Sequence, residues 1–146
     1  MDAESLIKGT PPRAIENPDA VRATIGRYLG ARPEVSFAYL YGSFVAGLPC
    51  RDIDVGIFVD EGRLGDEDPW DWETRWSAEL TRAVGIPVDV RVLNRAPVGF
   101  QHGVLQGEAL LVGDEVRLGD FIERVAGDYM EFEWLGRQYL REVLGS

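Results

Sequence analysis

The chain is nearly empty of three residue types that carry much protein chemistry. Of its 146 residues one is a cysteine (Cys50), one a histidine (His102) and one a lysine (Lys8). A single cysteine excludes an internal disulfide and suits a reducing cytosol. With no partner to make a nucleophilic pair, Cys50 reads as an inert loop thiol. One histidine cannot build a zinc site, so His102 reads as a surface or structural residue. Long apolar runs are missing too. The uncharged stretch Val35–Cys50 falls short of the roughly 20 residues that span a bilayer, and Gly42, Gly47 and Pro49 interrupt it. Met1–Thr10 carries Asp2 and Glu4 and has no apolar core of leader length. The expectation is a cytoplasmic protein with no membrane segment.

Positive charge is also scarce. Fifteen Lys and Arg face 25 Asp and Glu, for a net charge of -10. General nucleic-acid binding draws on stripes of Lys and Arg, and this balance argues against it. Arginine, the main cation here, offers a planar fork for phosphate and carboxylate; a compositional bias of the source gives the same skew. The apolar fraction of 45% is that of a folding chain, and the length suits one domain spanning 1–146.

Residues 1–15, with Pro11-Pro12, read as a loose arm. Asn17-Pro18 starts a helix, with Asn as cap and Pro at the first position, and Gly30 ends it. Val35–Tyr41 is apolar and rich in β-formers, the pattern of a buried strand. Gly42-Ser43 makes a turn, and Phe44–Gly47 a short helical turn. Asp52–Val59 is the second strand: Ile53, Val55, Ile57 and Val59 alternate with Asp52, Asp54, Gly56 and Phe58. Residues two apart on a strand share a face, so Asp52 and Asp54 project together. Asp60–Asp68 reads as an acidic surface loop. Pro69–Val84 is a helix closed by Gly85, with Trp72, Trp76, Leu80 and Val84 as a core stripe; base stacking is the sharper role for Trp70 or Trp72. Pro87–Leu93 is the third strand, with Asp89 between Val88 and Val90. A short helix (Val98–Gln106) and a strand (Ala109–Val112) follow. The last segment runs from Asp114 to Leu144 with helical spacing, although Gly119, Gly127 and Gly136 weaken a single helix.

An aspartate inside an apolar strand is costly unless it is paired or bound to metal. Asp89 therefore reads as a buried acid with a purpose. Two carboxylates on one strand face and a third on another strand form a wall for magnesium, which prefers oxygen ligands. Two such ions can clamp the attacking and leaving oxygens of an in-line displacement. The turn at Gly42-Ser43 offers N–H groups and a hydroxyl to phosphates, and a helix starting at Phe44 would add favourable partial charge. Arg91 either contacts phosphate or pairs with Asp89.

With these residues in this order, Val35–Asn94 resembles the DNA polymerase β-like nucleotidyltransferase superfamily, in particular its minimal single-domain members. The matching residues are Gly42, Ser43, Gly47, Asp52, Asp54 and Asp89. The resemblance implies an α/β (α+β) fold, a small mixed sheet flanked by helices with a long C-terminal helical segment. It implies transfer of AMP from ATP with two Mg2+ ions held by Asp52, Asp54 and Asp89. Gly42 and Ser43 would hold the triphosphate, and Asp89 would poise the acceptor hydroxyl. It also implies a partner, a small helical HEPN-type toxin whose tyrosine is AMPylated.

The chain departs from the pattern at two points. The stretch between Gly47 and Asp52 is shorter by about two residues, and Arg51 replaces a small hydroxyl residue. Arg51 either supplies a phosphate contact or pairs with a surface acid. Two alternatives stay open beside the AMPylating antitoxin: an antitoxin that binds without chemistry, and an enzyme modifying a small hydroxylated molecule such as an aminoglycoside. The C-terminal helix could pack on its own sheet, on the toxin, or on a second copy in a homo-oligomer.

Overall fold

The computed structural model describes residues 11–145, so the first ten residues of the expected arm lie outside it. Helix α1 spans Pro18–Gly30, and its cap Asn17 accepts from the Ala20 N–H. Strand β1 (Val35–Tyr41) follows and is buried over all but its last residue. Strand β2 (Ile53–Val59) returns antiparallel beside it. Helices α2 (Glu61–Leu64) and α3 (Pro69–Val84) lead to β3 (Val88–Val92), parallel to β2. Helix α4 (Val98–Leu105), strand β4 (Glu108–Val112) and helix α5 (Glu115–Leu144) complete the order. The sheet runs β3-β2-β1-β4, with β4 antiparallel to β1, which is the mixed sheet expected.

The alternation along β2 sorts the chain into two layers. Ile53, Val55, Ile57 and Val59 are buried with Ala38 and Leu40 against α1 and α3. The opposite face carries Phe37, Tyr39 and Leu93, which meet Val104 of α4 and Phe121 and Val125 of α5. Phe37 stacks on Phe58 with centroids 5.1 Å apart, and Phe121 closes the group at 5.4 Å and 5.3 Å. Each such buried side chain contributes about 1.5–3 kcal/mol. At Gly56 the side chain of Val104 on α4 comes close: a Cβ there would lie 2.8 Å from Val104 Cγ1.

Strand β3 is an edge strand, and α3 seals it. Val88, Val90 and Val92 direct their N–H groups away from β2. Thr81 Oγ1, Ser77 Oγ and Glu73 Oε1 accept them at 2.9, 2.9 and 2.7 Å. Four helical residues rise about 6.0 Å and two strand residues about 6.6 Å, so one helix face keeps step with one strand edge. The same helix buries Trp72, Trp76 and Leu80 as expected, but leaves Trp70 66% exposed. Asn94 lengthens the ladder past β3: its amide accepts from Val59 N–H at 2.9 Å and donates to Val59 C=O at 2.7 Å.

Several expectations change. Asp52 sits in a bend just ahead of β2 rather than on it. The acidic stretch after β2 is not all loop, because Asp60 caps Gly62 N–H and nucleates the four residues of α2. Phe44–Gly47 forms the short turn expected, with Ala46 N–H bonded to Gly42 C=O, and no longer helix continues from it. The arm is tied down where it is described: Arg13 and Cys50 exchange two backbone hydrogen bonds, at 3.1 and 2.9 Å. Helix α5 is unbroken despite its three glycines. Its first turns are held by Phe121 and Val125. Beyond them Met130, Phe132, Trp134, Leu135, Tyr139, Leu140 and Val143 are exposed. Among the described residues, no helix is long and apolar enough to cross a membrane.

The seal on β3 is testable. Ser77→Ala removes the acceptor for the Val90 N–H at a part-buried position. Urea unfolding is expected to show a loss of about 1–3 kcal/mol at unchanged m-value; a change within 0.5 kcal/mol would mean the edge is not held this way.

Candidate active site

The register of the sheet builds the site. Asp54 lies opposite Tyr41 in the antiparallel pair and opposite Asp89 in the parallel pair. Tyr41, Asp54 and Asp89 thus form one row across three strands. Asp52, two residues before Asp54, joins the same side. One carboxylate oxygen from each of Asp52, Asp54 and Asp89 lies within 4.8 Å of the others, and all three residues are half-buried. The convergence predicted for these acids is therefore found. Asp89 is not the fully buried acid expected. Its side chain is 38% exposed, and Arg91 Nε donates to its Oδ2 at 3.2 Å. Arg91 thus makes the pair with Asp89 that was one of its two expected roles.

Crowding like charges has a cost, and Asp54 bears it. Burial first, then the charges of Asp52 and Asp89, push its carboxyl up to about 6, against a smaller opposing effect of Arg91. Tyr41 responds to the same field: burial and the neighbouring Asp54 and Asp89 raise its hydroxyl well above the ordinary range. Its ring meets Phe100 edge-on at 5.7 Å. Tyr41 was absent from the sequence-derived candidates. The available signal was its place directly before Gly42, at the end of a strand whose hairpin partner carries Asp54.

The turn after Tyr41 is shaped around Asp54. Gly42 has φ +81°, and a Cβ on it would stand 2.6 Å from Asp54 Oδ2. Both the backbone sign and the close approach call for glycine. Ala46 N–H donates to Gly42 C=O at 3.3 Å and Leu48 N–H to Ser43 C=O at 3.0 Å, which fixes the loop. Phe44 anchors it from below, buried beneath the Arg22 guanidinium 5.0 Å from its ring centroid. Gly42 and Ser43 are exposed at the mouth of the site, as is Arg51, directly before Asp52. The shortened loop is braced from outside by the Arg13–Cys50 pairing. Cys50 is buried, and its thiol is pushed up by burial and by Asp52 and Asp54, as befits an unreactive residue. His102 stacks on Tyr129 at 3.6 Å, a packing role.

Three hard oxygen donors at this spacing, one of them reluctant to ionise beside the others, suit a divalent cation. A turn with free hydroxyl and amide groups at one end of that cluster suits phosphate. On a mixed sheet with helices on both faces, these features define the nucleotidyltransferase class. The sequence model of the family described as polymerase beta nucleotidyltransferase matches residues 23–116, more than half of the chain, and the chain belongs to that family.

Solved structures share the fold. One is a tri-AMPylated Shewanella oneidensis HEPN toxin in complex with MNT antitoxin: the match covers 88% of this chain and 99% of the other, with TM-score 0.66 and 18% identity. A toxin–antitoxin with AMP-PNP matches 84% of this chain and 98% of its own, with TM-score 0.68 and 20% identity. The toxin–antitoxin MntA-HepT covers 86% and 97%, with TM-score 0.65 and 17% identity. No curated protein sequence matches significantly.

The strain on Asp54 predicts a pH-dependent stability. Its folded value of about 6 lies above the ordinary 3.8. The folded state therefore holds the extra proton between these values, and the stability this contributes at low pH is lost as pH rises through about 6. Without metal at pH 7.5, Asp54→Asn should raise stability by roughly 1–2 kcal/mol, a figure discounted for partial solvation. The gain should vanish near pH 4. Thermal unfolding at both pH values checks this, and a variant less stable than the parent at pH 7.5 would contradict it.

Proposed function

We propose that the protein transfers AMP from ATP to a hydroxyl of a partner protein, a small helical toxin of the HEPN kind, and acts as its antitoxin. The observation that carries the reading is the convergence of Asp52, Asp54 and Asp89 beside the Gly42-Ser43 turn. Asp52 and Asp54 would hold two Mg2+ ions and Asp89 one of them. When bound, these ions supply charge neutralisation for the triphosphate and its departing pyrophosphate. Gly42 and Ser43 cradle the β- and γ-phosphates, and Arg51 stands at the loop where it can reach them. Asp89 orients the acceptor hydroxyl and takes its proton.

The neighbours whose names mention AMPylation, AMP-PNP and HEPN toxin support this reading by shared fold. The exposed apolar side chains on the second half of α5 support it from within the chain. Several large apolar side chains exposed on one element suit a surface that works in a complex.

The test is incubation with α-labelled ATP, Mg2+ and the helical protein produced with it. Label is expected on a partner tyrosine, with release of pyrophosphate. Asp89→Asn should slow transfer roughly 10²- to 10⁴-fold, the range for loss of a general base. Neutralisation that persists in Asp54→Ala, with no label moved by the parent protein, would leave binding alone as the function.

A further inference from the structure

The turn that would hold the phosphates has one firm anchor. Between Gly42 and Gly47 only Phe44 is fully buried, while Gly42, Ser43, Ala46 and Gly47 are exposed. The Arg22 guanidinium of α1 lies over the Phe44 ring, 5.0 Å from its centroid. We propose that Arg22 is a positioning residue: it clamps the Gly42-Ser43 turn through Phe44 and so sets how tightly the turn grips the β- and γ-phosphates. The inference rests on the nucleotidyl-transfer reading and adds to it a residue outside the acidic cluster.

Arg22 is itself held in place. Its Nε donates to both carboxylate oxygens of Glu108, at 2.9 and 3.1 Å, and its Nη1 donates to Asp19 at 3.4 Å. The Arg22 and Glu108 side chains are 30% and 34% exposed. A charge-assisted pair at such a part-buried place is screened less than one in open water. Glu108 opens β4 and lies opposite Leu40, just before the turn on β1. The two strands meet tightly there, since a Cβ on Gly107 would overlap the Leu40 carbonyl oxygen. The ties close a ring: from the turn to Phe44, to Arg22 on α1, to Glu108 on β4, and back along β1 to the turn.

Arginine suits this place and lysine does not. A planar guanidinium bonds a carboxylate along its edge while its face lies on a ring. An ammonium is a point charge and makes one of these contacts at the expense of the other. Pairing with Glu108 also offsets the charge of Arg22, so its effect on phosphate runs through the shape of the turn and not through direct attraction. Amide and hydroxyl groups held ready bind a polyphosphate without first being ordered. Losing the clamp therefore weakens ligands that reach the turn and spares those that reach only the acids.

The experiment titrates the full chain, Arg22→Met, Arg22→Lys and Phe44→Leu by calorimetry with AMP-PNP and separately with AMP, Mg2+ present throughout. Arg22→Met is expected to weaken AMP-PNP roughly tenfold, the scale of one cation–π contact, and to leave AMP unchanged. Arg22→Lys should weaken AMP-PNP nearly as much. Adding Arg22→Met to Phe44→Leu should cost little further, because the two side chains act as a unit. Mn2+ affinity without nucleotide, read by electron paramagnetic resonance, should stay the same in each Arg22 variant. Hydrogen exchange without nucleotide should quicken in Arg22→Met at the Ala46 and Leu48 amides, whose bonds close the turn. Full AMP-PNP affinity in Arg22→Lys would mean that charge alone matters and would overturn the proposal. So would equal losses for AMP and AMP-PNP, additive losses in the double variant, or unchanged exchange at the turn. A parent chain that binds no AMP-PNP while these amides respond refutes the nucleotidyl-transfer reading and not the clamp.

Discussion

The structure turns on one register. Strand β2 pairs with β3 so that Asp54 faces Asp89, and with β1 so that Asp54 faces Tyr41. Side chains on a strand alternate with period two, so a slip of one residue at either pairing would send a carboxylate into the opposite layer. The two cores prevent that slip. Ile53, Val55 and Ile57 are fully buried on one face, and Phe37 and Leu93 on the other. Moving β3 by one residue would put Asp89 where Val88 or Val90 now sits. That would bury an unpaired charge, at a cost of several kcal/mol.

Holding three acids together opposes folding, and the surrounding elements offset it. Arg91 neutralises part of the cluster, and α3 ties β3 down through a threonine, a serine and a glutamate at successive turns. The loop that carries Asp52 is fastened by Phe44 beneath and by Arg13 alongside. What remains uncompensated is the raised carboxyl of Asp54, the residue closest to the glycine turn. Strain of this kind is commonly stored where a ligand relieves it.

Much of this was legible in the sequence. The alternation of Asp52 and Asp54 with Ile53 and Val55 placed both acids on one side. The strand around Asp89 and the turn at Gly42-Ser43 were equally plain, because β-branched runs and glycine carry strong local signals. What depends on pairing was not legible. Tyr41 enters the site only through its partner Asp54, and the seal on β3 exists only because α3 lies along its edge. The tie between Arg13 and Cys50 links residues far apart in the chain, which no local pattern reveals. Asp89 was read as buried from its apolar neighbours, but edge position leaves it partly exposed. The glycines in α5 lower helix propensity, yet packing of Phe121 and Val125 on the sheet and a regular i, i+4 pattern outweigh about 1 kcal/mol each.

The central claim is that Asp52, Asp54 and Asp89 act as one cation site next to a phosphate-binding turn. Anomalous diffraction from crystals grown with Mn2+ and AMP-PNP tests it most directly. The account predicts Mn2+ peaks coordinated by these three carboxylates, with the β- and γ-phosphates against Gly42 and Ser43. Peaks bound elsewhere, or phosphates lying on the β3 side of Asp89, would contradict it.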